Sequence, residues 1–333
     1  MSLSLAVVMD PIESIAPYKD TTLAMLLSAQ ARGWRCFVMH PNDLFVADQA
    51  VQTHRREVRV FDDNDHWFDV LSEDTVALAS HDIVLMRKDP PFDMNFIFST
   101  YLLERAAMEG TLVSNRPSSL RDVNEKLSTL AYPDLTPPTL VTSQTELLRN
   151  FINEHKDVIV KPLDGMGGMG IFRLTPEDPN ISMVLGTATL NETVPIMAQR
   201  FVPEIVDGDK RILLIAGEPA PFALARIPLA GETRGNLAAG GRGVPVPLTA
   251  RDREIAASVA PMLLEKGLDF VGLDVIGRYL TEINVTSPTC AREIDAHMHT
   301  LSDAPEPDAT GYRRGIADGY FDALERQLTA QSG

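Results

Sequence analysis

The chain has 333 residues, which is more than one hydrophobic core normally serves, so we expect two or three subdomains. Its 44% hydrophobic content is enough to fill their cores. With 46 acidic residues against 30 basic ones the formal net charge is −16, which excludes nucleic acid as a general partner. Because there is no run of about 18 apolar residues, no basic N-terminal region and only two distant cysteines, we expect no membrane span, no signal peptide and a cytoplasmic location without disulfides.

The first third of the chain alternates apolar runs with helical patterns. Strands are predicted at 3–9, 34–39, 55–61, 81–86 and 111–114, and helices at 22–31, 96–109 and 118–130. Residues 1–122 are therefore expected to form an α/β domain around an open parallel sheet. Ligands of such sheets lie at the carboxyl ends of the strands, where this sequence has Asp10, Ile12 and Arg87. A solvated loop is the alternative for Arg87 and Lys88.

A glycine-rich loop follows a β-branched strand that ends at Lys161, and a second alternating strand follows the loop. The loop glycines are Gly165, Gly167, Gly168 and Gly170. The first, second and fourth match the spacing of a dinucleotide fingerprint, but that motif requires a helix directly after the loop, and none is predicted here. The loop is interpreted as a flap between antiparallel strands that binds a polyphosphate through backbone N–H groups and Lys161. A glycine-rich hairpin loop with a surface lysine is the alternative.

A strand predicted at 195–203 leaves this subdomain for the next one. It presents backbone N–H and C=O groups beside apolar side chains, an arrangement that suits a purine ring. An ordinary connector between subdomains has the same pattern, so both interpretations remain open.

Two strands predicted at 211–216 and 221–227 flank a turn at 217–220. If that turn has four residues, Arg211 lies opposite Arg226, and like charges facing each other across strands destabilise the pair by up to about 1 kcal/mol. An anion between the guanidinium groups would reverse this penalty, so the pair is predicted to clamp a phosphate or carboxylate. Replacing either arginine by leucine is expected to abolish turnover and leave the fold intact.

The segment 228–243 is rich in glycine and alanine and carries Arg234 and Arg242. It cannot bury a core of its own, and long loops in compact proteins are usually lids or disordered spans. Two arginines among the glycines favour a lid that excludes water from a reactive intermediate.

A hairpin predicted at 268–286 brings two carboxylates and an amide together. Glu282 and Asn284 are two residues apart and so share one face of a strand. A two-residue turn at 277–278 would direct Asp274 away from Glu282, whereas a three-residue loop would place the two carboxylates opposite each other. The second register gives hard oxygen ligands suited to Mg²⁺ held jointly with phosphates. The alternative is a pair of polar residues on a solvated strand face.

The order of lysine strand, glycine flap, arginine hairpin and Asp…Glu-x-Asn resembles the ATP-grasp carboxylate–amine ligases, and among them the bacterial glutathione synthetase family. The resemblance extends over nearly the whole chain, up to about residue 293. It rests on the motifs Met9-Asp-Pro11, Met86-Arg-Lys-Asp-Pro-Pro-Phe-Asp93, Ser119-Leu-Arg-Asp122, Asn124-Glu-Lys126, Lys161-Pro-Leu-Asp-Gly-Met-Gly-Gly168, Asp207-Gly-Asp-Lys-Arg211, Gly231-Glu-Thr-Arg-Gly-Asn-Leu-Ala-Ala-Gly-Gly-Arg242 and Thr281-Glu-Ile-Asn-Val-Thr-Ser-Pro-Thr-Cys290.

The resemblance implies an ATP-grasp fold of α+β subdomains behind the N-terminal domain. The expected parts are a substrate-binding domain at 1–122, a central subdomain with the flap at 123–202 and a C-terminal subdomain with the metal site at 203–333. The implied activity is ATP-dependent ligation of γ-glutamylcysteine and glycine through an acyl phosphate. Two Mg²⁺ ions, for which Mn²⁺ can substitute, and a cytoplasmic homotetramer are also implied.

The resemblance assigns the site residues to four groups. Besides the flap glycines, the implied ATP-binding residues are Lys126, Lys161, Gln199, Arg200, Phe201, Val202 and Asp209. The implied catalytic residues are Arg211, Arg226, Arg234 and Arg242, the last two on a lid at 227–242. The implied metal ligands are Asp274, Glu282 and Asn284. The implied dipeptide contacts are Asp10, Ile12, Arg87, Ser287 and Arg292.

Two other functions compete with this one. An ATP-grasp ligase could join a different acid and amine, as a D-alanine–D-alanine type ligase does, or a regulator similar to synapsin could bind ATP without turnover. The match at 9–12 and 86–93 favours the γ-glutamyl dipeptide. The arginine pair, the lid and the metal ligands argue against a regulator.

Overall fold

A computed structural model gives the fold of residues 2–229, 241–309 and 311–331. Within these ranges the strands form three sheets, one in each successive part of the chain. No helix in the described ranges is long and apolar enough to cross a membrane. The three sheets surround the site described below.

The N-terminal sheet consists of β1 (Ser4–Val8), β2 (Arg35–Met39), β3 (Leu44–Ala47), β4 (Ala50–Val60), β5 (Phe68–Ala77), β6 (Ile83–Met86) and β7 (Leu112–Ser114). Its order is β3-β4-β2-β1-β6-β7, with β5 also paired to β4. Strands β2, β1, β6 and β7 are parallel, as predicted, and β3, β4 and β5 extend them in antiparallel fashion. The central strands read as continuous apolar runs because both faces of the sheet are covered.

The N-terminal helices are α1 (Thr21–Ala31), α2 (Met94–Met108) and α3 (Pro117–Asp122). The Asp20 carboxylate caps α1, since it accepts the Leu23 N–H at 2.6 Å. The helix predicted over 118–130 is wrong in its second half. There the Asn124 side chain accepts the N–H groups of Lys126 and Leu127 and so competes with helical hydrogen bonding.

The central sheet consists of β8 (Thr139–Thr142), β9 (Val158–Pro162), β10 (Phe172–Leu174) and β11 (Ile196–Arg200). Its order is β10-β9-β11-β8 and the pairs are antiparallel. The helices α4 (Thr145–His155) and α5 (Ile181–Ala188) pack on it. Strand β11 leads out of this sheet toward the C-terminal one.

The C-terminal sheet consists of β12 (Asp209–Ile215), β13 (Glu218–Pro219), β14 (Phe222–Ile227), β15 (Arg242–Pro247), β16 (Phe270–Ile276) and β17 (Tyr279–Asn284). Its order is β15-β14-β12-β16-β17, with β13 paired to β12. The helices that follow its strands are α6 (Ala250–Glu265), α7 (Ala291–Met298) and α8 (Ile316–Gln331).

The N-terminal and C-terminal sheets share their hydrophobic cores. Ala6 and Val8 of β1 pack in one cluster with Val271 of β16, whereas Leu5 and Val7 belong to a second cluster. That second cluster also contains Phe321 of α8. The central sheet has a separate, smaller core between its strands and the helices α4 and α5. The N-terminal and C-terminal sheets are therefore joined through shared apolar cores, and the central sheet has a core of its own.

Candidate active site

A cavity of about 590 Å³ opens where the three sheets meet. Its wall combines the flap, strand β11, strands β12, β14, β16 and β17, and the loops after β1 and β6. Of the predicted site residues, those that line it are Asp10, Lys126, Lys161, Gly165, Gly167, Gly168, Gln199, Arg200, Phe201, Val202, Asp209, Arg211, Arg226, Asp274, Glu282, Asn284 and Ser287. The volume falls in the range of small-molecule sites, roughly 300–1,000 Å³.

Two arginines of the C-terminal sheet converge on one carboxylate. Arg211 donates to Asp274 Oδ1 at 2.6 Å and to Asp274 Oδ2 at 3.1 Å. An Arg226 nitrogen lies 2.9 Å from the same Oδ2. A second acid, Asp209, accepts from Arg226 at 2.5 Å. We call these four residues the arginine cluster. Arg211, Arg226 and Asp274 are each 5–6% exposed, so these charges are held by one another rather than by water.

The predicted pairing of Arg211 with Arg226 is wrong. Arg211 lies opposite Leu224, and Arg226 lies opposite Asp209. The chain reverses at Ala216 and Gly217, whose φ angles are 48° and 84°, instead of in a four-residue turn at 217–220. Like charges therefore do not face each other across the strands, and the anion between the two guanidinium groups is the protein's own Asp274.

The pKa values of the two carboxylates of the arginine cluster shift in opposite directions, although burial acts on both in the same sense. Burial disfavours the charged form of Asp274, yet Arg211 and Arg226 together hold the pKa of its carboxyl well below its usual range. Burial, helped by the negative charges of Asp274 and Glu282, raises the pKa of Asp209 to about 7 against the attraction of Arg226. Asp209 Oδ1 is buried, and among the described residues it has no hydrogen-bond partner. Asp274 is therefore the stronger partner of the arginines.

A β-bulge sets the register of the hairpin β16–β17. The turn has two residues, Gly277 and Arg278, so Ile276 pairs with Tyr279 and Val275 with Leu280. Thr281 is then the extra residue, and Asp274 pairs with Glu282. The hairpin thus has the short turn of one predicted alternative and the facing carboxylates of the other. The sequence pattern does not show the bulge, which Thr281 stabilises by donating its hydroxyl to the Asp274 carbonyl at 3.1 Å.

Asp274, Glu282 and Asn284 all line the cavity, and their oxygens suit a hard divalent cation. Asn284 donates its amide N–H to the Gly272 carbonyl at 3.2 Å, which leaves its side-chain oxygen for another partner. In the described ranges no cluster of three or more histidine, cysteine or acidic residues forms a metal site. The donor set therefore fits a metal ion whose remaining ligands are phosphate oxygens and water, as is usual for Mg²⁺.

Two buried lysines stand beside Glu282. Lys126 and Lys161 have their amines 3.5 Å and 3.7 Å from Glu282 Oε1. Lys126 also donates to the Gly165 carbonyl at 2.7 Å, and Lys161 donates to the Thr281 carbonyl at 3.2 Å. Burial lowers the pKa of Lys161, although Glu282 counteracts this effect. Both amines share one carboxylate oxygen at distances longer than a close ion pair, so their charge is available to an anionic ligand.

The flap, residues 165–170, joins the antiparallel strands β9 and β10 as predicted, and no helix follows it. Gly167, Gly168 and Gly170 have φ angles of 63°, 78° and 71°, which residues with a side chain rarely adopt. At Gly165 a Cβ atom would lie 2.5 Å from Pro162 Cγ, so close packing also requires glycine. Gly170 is exposed and lies outside the cavity wall.

The side of the cavity next to β11 is largely apolar. Ile159, Val202 and Ile205 line it together with Phe201. The Gln199 side chain donates to Thr139 Oγ1 at 3.0 Å and so holds β11 against β8. A flat apolar ring fits this side of the wall.

Several predicted residues lie outside the cavity wall. Ile12 is fully buried in a core, and Arg87 donates to Thr22 Oγ1 at 3.2 Å and to the Pro288 carbonyl at 2.9 Å. Arg292 pairs with Asp62. Arg242 is exposed at the start of β15, and Arg234 lies outside the described residues.

Five charged residues of the wall were not predicted as site residues, namely Lys19, Asp20, Asp89, Glu125 and Glu293. Glu125 Oε1 accepts the Val285 N–H at 2.9 Å and two hydrogen bonds from Thr286. Its neighbours in the motif Asn124-Glu-Lys126 were the available signal. Lys19 and Glu293 are separated by most of the chain and belong to no motif noted above, so only the fold brings them to one cavity.

Two family models match the chain over almost all of its length. The prokaryotic glutathione synthetase N-terminal domain matches residues 3–121, and the prokaryotic glutathione synthetase ATP-grasp domain matches residues 125–299. Among solved structures, the ATP-grasp ligase PsnB has a TM-score of 0.62 at 18% identity and covers 100% of both chains. The D-cycloserine synthetase DcsG has a TM-score of 0.63 at 17% identity over 98% of this chain and 99% of its own. At such identities these structures show the fold alone, which is the ATP-grasp fold.

Curated relatives are much more similar in sequence. The glutathione synthetase of Pseudomonas putida is 55% identical over 99% of this chain and 100% of its own length. Those of Pseudomonas aeruginosa and Vibrio vulnificus are 54% and 52% identical, over 99% and 100% of this chain and 100% of their own lengths. The chain belongs to the prokaryotic glutathione synthetase family, whose ATP-grasp domain is that of an ATP-dependent ligase.

Proposed function

We propose that this chain catalyses the glutathione synthetase reaction, in which ATP drives the ligation of γ-glutamylcysteine and glycine to glutathione, ADP and phosphate. Membership of the family supports the reaction. The structural observation that carries it is that four buried cations line one cavity together with the oxygen ligands of β16 and β17. These cations are Lys126, Lys161, Arg211 and Arg226. They suit a triphosphate and an activated carboxylate better than a neutral ligand.

In the first step an oxygen of the cysteinyl carboxylate attacks the γ-phosphorus of ATP. The new O–P bond forms as the bond to the bridging oxygen breaks, and ADP leaves with the electron pair. Lys126 and Lys161 bind the phosphates, and Arg211 and Arg226 stabilise the transferring phosphoryl group. Phosphoryl transfer depends mainly on positioning and charge neutralisation, and the arginine cluster provides both before the substrate arrives.

In the second step the glycine amine attacks the carbonyl carbon of the acyl phosphate. The tetrahedral intermediate carries a negative oxygen, which Arg211 and Arg226 stabilise, and it collapses as the carbon–oxygen bond to phosphate breaks. The amine loses a proton as the amide forms. The segment 227–242, with Arg234 and Arg242, closes over this intermediate and excludes water, an assignment that rests on the resemblance of its motif.

Asp274, Glu282 and Asn284 would hold two Mg²⁺ ions, for which Mn²⁺ can substitute. When bound, these ions neutralise phosphate charge and polarise the γ-phosphoryl group. This assignment is supported by the pairing of Asp274 with Glu282 next to the bulge, which places the two carboxylates opposite each other. The flap covers the phosphates, and backbone groups of residues 199–202 with Asp209 hold the nucleoside.

The three parts of the chain take separate roles in this proposal. Residues 1–122 bind the dipeptide, residues 123–202 cover the nucleotide, and residues 203–333 carry the arginine cluster and the metal ligands. The chain works as a cytoplasmic homotetramer, which rests on the family resemblance. Sedimentation equilibrium of the purified chain tests the tetramer, since a monomer at micromolar concentration would contradict it.

The deciding experiment measures phosphate release from ATP with γ-glutamylcysteine and glycine. Dipeptide labelled with ¹⁸O in the cysteinyl carboxylate should transfer one label to the released phosphate, because that oxygen leaves with phosphorus. Release with another acid and amine, but not with this pair, would keep the ligase class and reject the substrates. ATP binding without release for any pair would favour a regulator.

A further inference from the structure

Helix α2 carries large apolar side chains on the face that points away from its own core. The residues on its buried face are Phe96, Ser99, Thr100, Leu103 and Ala106. On the opposite face four large side chains are between 54% and 77% exposed, namely Met94, Phe98, Tyr101 and Met108. The part of the chain that the structure describes leaves them open to solvent. A helix that is apolar on all sides is normally covered on all sides, so the outer face of α2 lacks a cover.

The exposed side chains of α2 follow a regular spacing. Met94, Phe98, Tyr101, Arg105 and Met108 are all exposed, and they succeed one another by four, three, four and three residues. We call these five residues the α2 stripe. An average of 3.5 residues keeps side chains in line along a helix, and it is the spacing of helices that pack side by side. Methionine, aromatic residues and arginine are also the types enriched at protein interfaces.

Helix α4 shows how a solvated outer face differs in this chain. The exposed residues of α4 are polar except for one, and they are Glu146, Leu147, Asn150, Asn153 and Glu154. A single exposed apolar residue of this kind needs no explanation, whereas a continuous apolar stripe marks an interaction site.

The charges around the α2 stripe permit contact with another acidic protein. The chain has a net charge of −16, so two copies repel each other over most of their surface. None of the exposed residues of α2 is acidic. The neighbouring acid Glu104 is half-buried and paired with Arg121. Glu109, directly after the helix, pairs with Arg105 at 3.3 Å. Two copies can therefore approach through this face without bringing unpaired carboxylates together.

The α2 stripe is also complementary to itself. If two α2 helices pack antiparallel about a two-fold axis at Tyr101, Met94 of one protomer lies opposite Met108 of its partner, since both are seven residues from the axis. Phe98 then lies opposite the partner's Arg105. A guanidinium group packs favourably on an aromatic ring. Each residue thus finds a suitable partner within the same patch, as a two-fold interface requires.

The area of the α2 stripe fits a dimer interface. Large side chains bury roughly 150–250 Å² each, so four that are more than half exposed present on the order of 400 Å² of surface. A standard interface buries about 800 Å² per partner, a little over half of it apolar. The stripe therefore supplies most of the apolar surface that one such interface needs. Arg121 also lies 4.1 Å from the centre of the Tyr101 ring, so that ring is held in place before contact.

We propose that the α2 stripe is an interface between two copies of this chain, packed antiparallel about a two-fold axis at Tyr101. This inference rests on the residues of α2 and their neighbours and is independent of the proposed reaction. It assigns a surface to one of the contacts that the proposed homotetramer needs, because most tetramers are built from two-fold dimers.

The first test measures the mass of the assembly by sedimentation velocity at micromolar concentration. Phe98→Arg places a cation opposite the partner's Arg105, so it should weaken association at least about 100-fold and halve the mass of the assembly. Adding Arg105→Glu to Phe98→Arg sets the two introduced charges opposite each other and should restore the mass. A monomeric wild type, a Phe98→Arg chain with the wild-type mass, or a halved mass without this rescue would overturn the interface as proposed.

Met183→Arg is the matched control for the charge. Met183 lies on α5 and is 67% exposed, so the substitution adds the same cation at an equally open apolar position outside the α2 stripe. It should leave the mass unchanged. Urea unfolding of both variants checks that they fold, and a mass halved by Met183→Arg as well would show a general effect of charge instead of an interface at α2.

A second test uses a cysteine on the proposed axis. The native cysteines Cys36 and Cys290 are buried, so a short bis-maleimide reagent should react with an introduced surface thiol alone. Tyr101→Cys should give cross-linked dimers, whereas Met183→Cys should not. Equal cross-linking of the two variants would contradict an axis at Tyr101.

The interface and the reaction can fail separately. If the wild-type chain releases no phosphate while Phe98→Arg halves the mass, the proposed reaction fails and the interface stands. If phosphate is released while Phe98→Arg keeps the wild-type mass, the interface fails and the reaction stands.

Discussion

The flap and the arginine cluster face the same cavity but are built in opposite ways. Each guanidinium of the arginine cluster is buried on a paired strand and held by a carboxylate. The flap consists of exposed or half-buried residues. In the described part of the chain its backbone makes one hydrogen bond within the flap, from Met169 N to the Met166 carbonyl, and accepts one from the Lys126 amine at Gly165. The charges that act on the reacting group are therefore fixed before the substrate binds, whereas few contacts define the position of the flap.

The largest effect is expected when a cation is removed from the arginine cluster. Arg226→Leu leaves Asp209 and Asp274 buried with a missing partner, so the free energy of unfolding should fall by roughly 3–5 kcal/mol. Phosphate release should fall at least about a thousandfold. Urea unfolding and the release assay measure the two effects. The expected loss of stability differs from the sequence-based expectation that the fold would be unaffected.

Arg35→Leu is the matched control, because Arg35 pairs with Glu57 at the surface. It should change the free energy of unfolding by less than about 1 kcal/mol. An Arg226→Leu variant as stable as this control would show that the two regions are not built differently.

The second prediction concerns pH. Because the folded-state pKa of Asp209 is about 7, above its unfolded value, the folded state holds this proton more tightly than the unfolded state. The free energy of unfolding of the ligand-free chain should therefore fall as the pH rises from about 4 to about 7, by up to about 4 kcal/mol, and stay level above. Asp274 acts in the opposite sense, and its contribution is lost only below its usual titration range.

Urea unfolding at several pH values, with Asp209→Asn beside the wild type, isolates this effect as the difference between the two profiles. Asp164→Asn, in the exposed segment that leads into the flap, should give the wild-type profile. Parallel profiles for wild type and Asp209→Asn would rule out the raised pKa.

A smaller effect is expected at Glu125, which links the two regions. It precedes Lys126, which holds the flap, and accepts three hydrogen bonds from the segment after β17. Glu125→Ala should lower kcat/KM roughly 10- to 100-fold by releasing that segment. Glu125→Gln keeps an accepting oxygen and should restore most of the activity. If glutamine is as damaging as alanine, the charge of Glu125 matters more than its hydrogen bonds.

The smallest effect is expected in the flap. Gly170 has a φ of 71°, and its Cβ would lie 3.3 Å from Pro162, so Gly170→Ala costs about 1 kcal/mol in the ordered flap. The KM for ATP should rise about fivefold, with kcat changed less than twofold. Gly170→Asn tolerates the left-handed backbone better and should lie between alanine and wild type. A fall in kcat as large as that of an arginine-cluster variant would contradict the comparison.

Local features of the fold could be predicted from the sequence because their causes are local. The cap at Asp20 and the absence of a helix after the flap follow from residues within a few positions. The registers of both C-terminal hairpins could not be predicted in this way. One depends on a tight turn with Ala216 at positive φ, and the other on the bulge at Thr281, and neither has a distinctive residue pattern.

Parts of the site that depend on distant contacts were also missed. Lys19 and Glu293 meet one cavity only because α7 packs against the turn that ends at Lys19. Arg87 was placed at the right strand end, but its guanidinium donates to Thr22 and to the Pro288 carbonyl instead of lining the cavity. Side-chain direction at such a position is decided by packing partners that lie far away in the chain.

The separate core of the central sheet gives the nucleotide a second role. Apolar contacts within that core join β8–β11 to α4 and α5; among the residues that the structure describes, this core is separate from the larger cores of the other two sheets. A nucleotide in the cavity would contact the central sheet on one side and the C-terminal sheet on the other, and so would bridge two parts of the chain that share no apolar core. Part of the binding free energy of the nucleotide would then stabilise the contact between these two parts. The free energy of local unfolding of the central sheet should therefore rise with nucleotide occupancy.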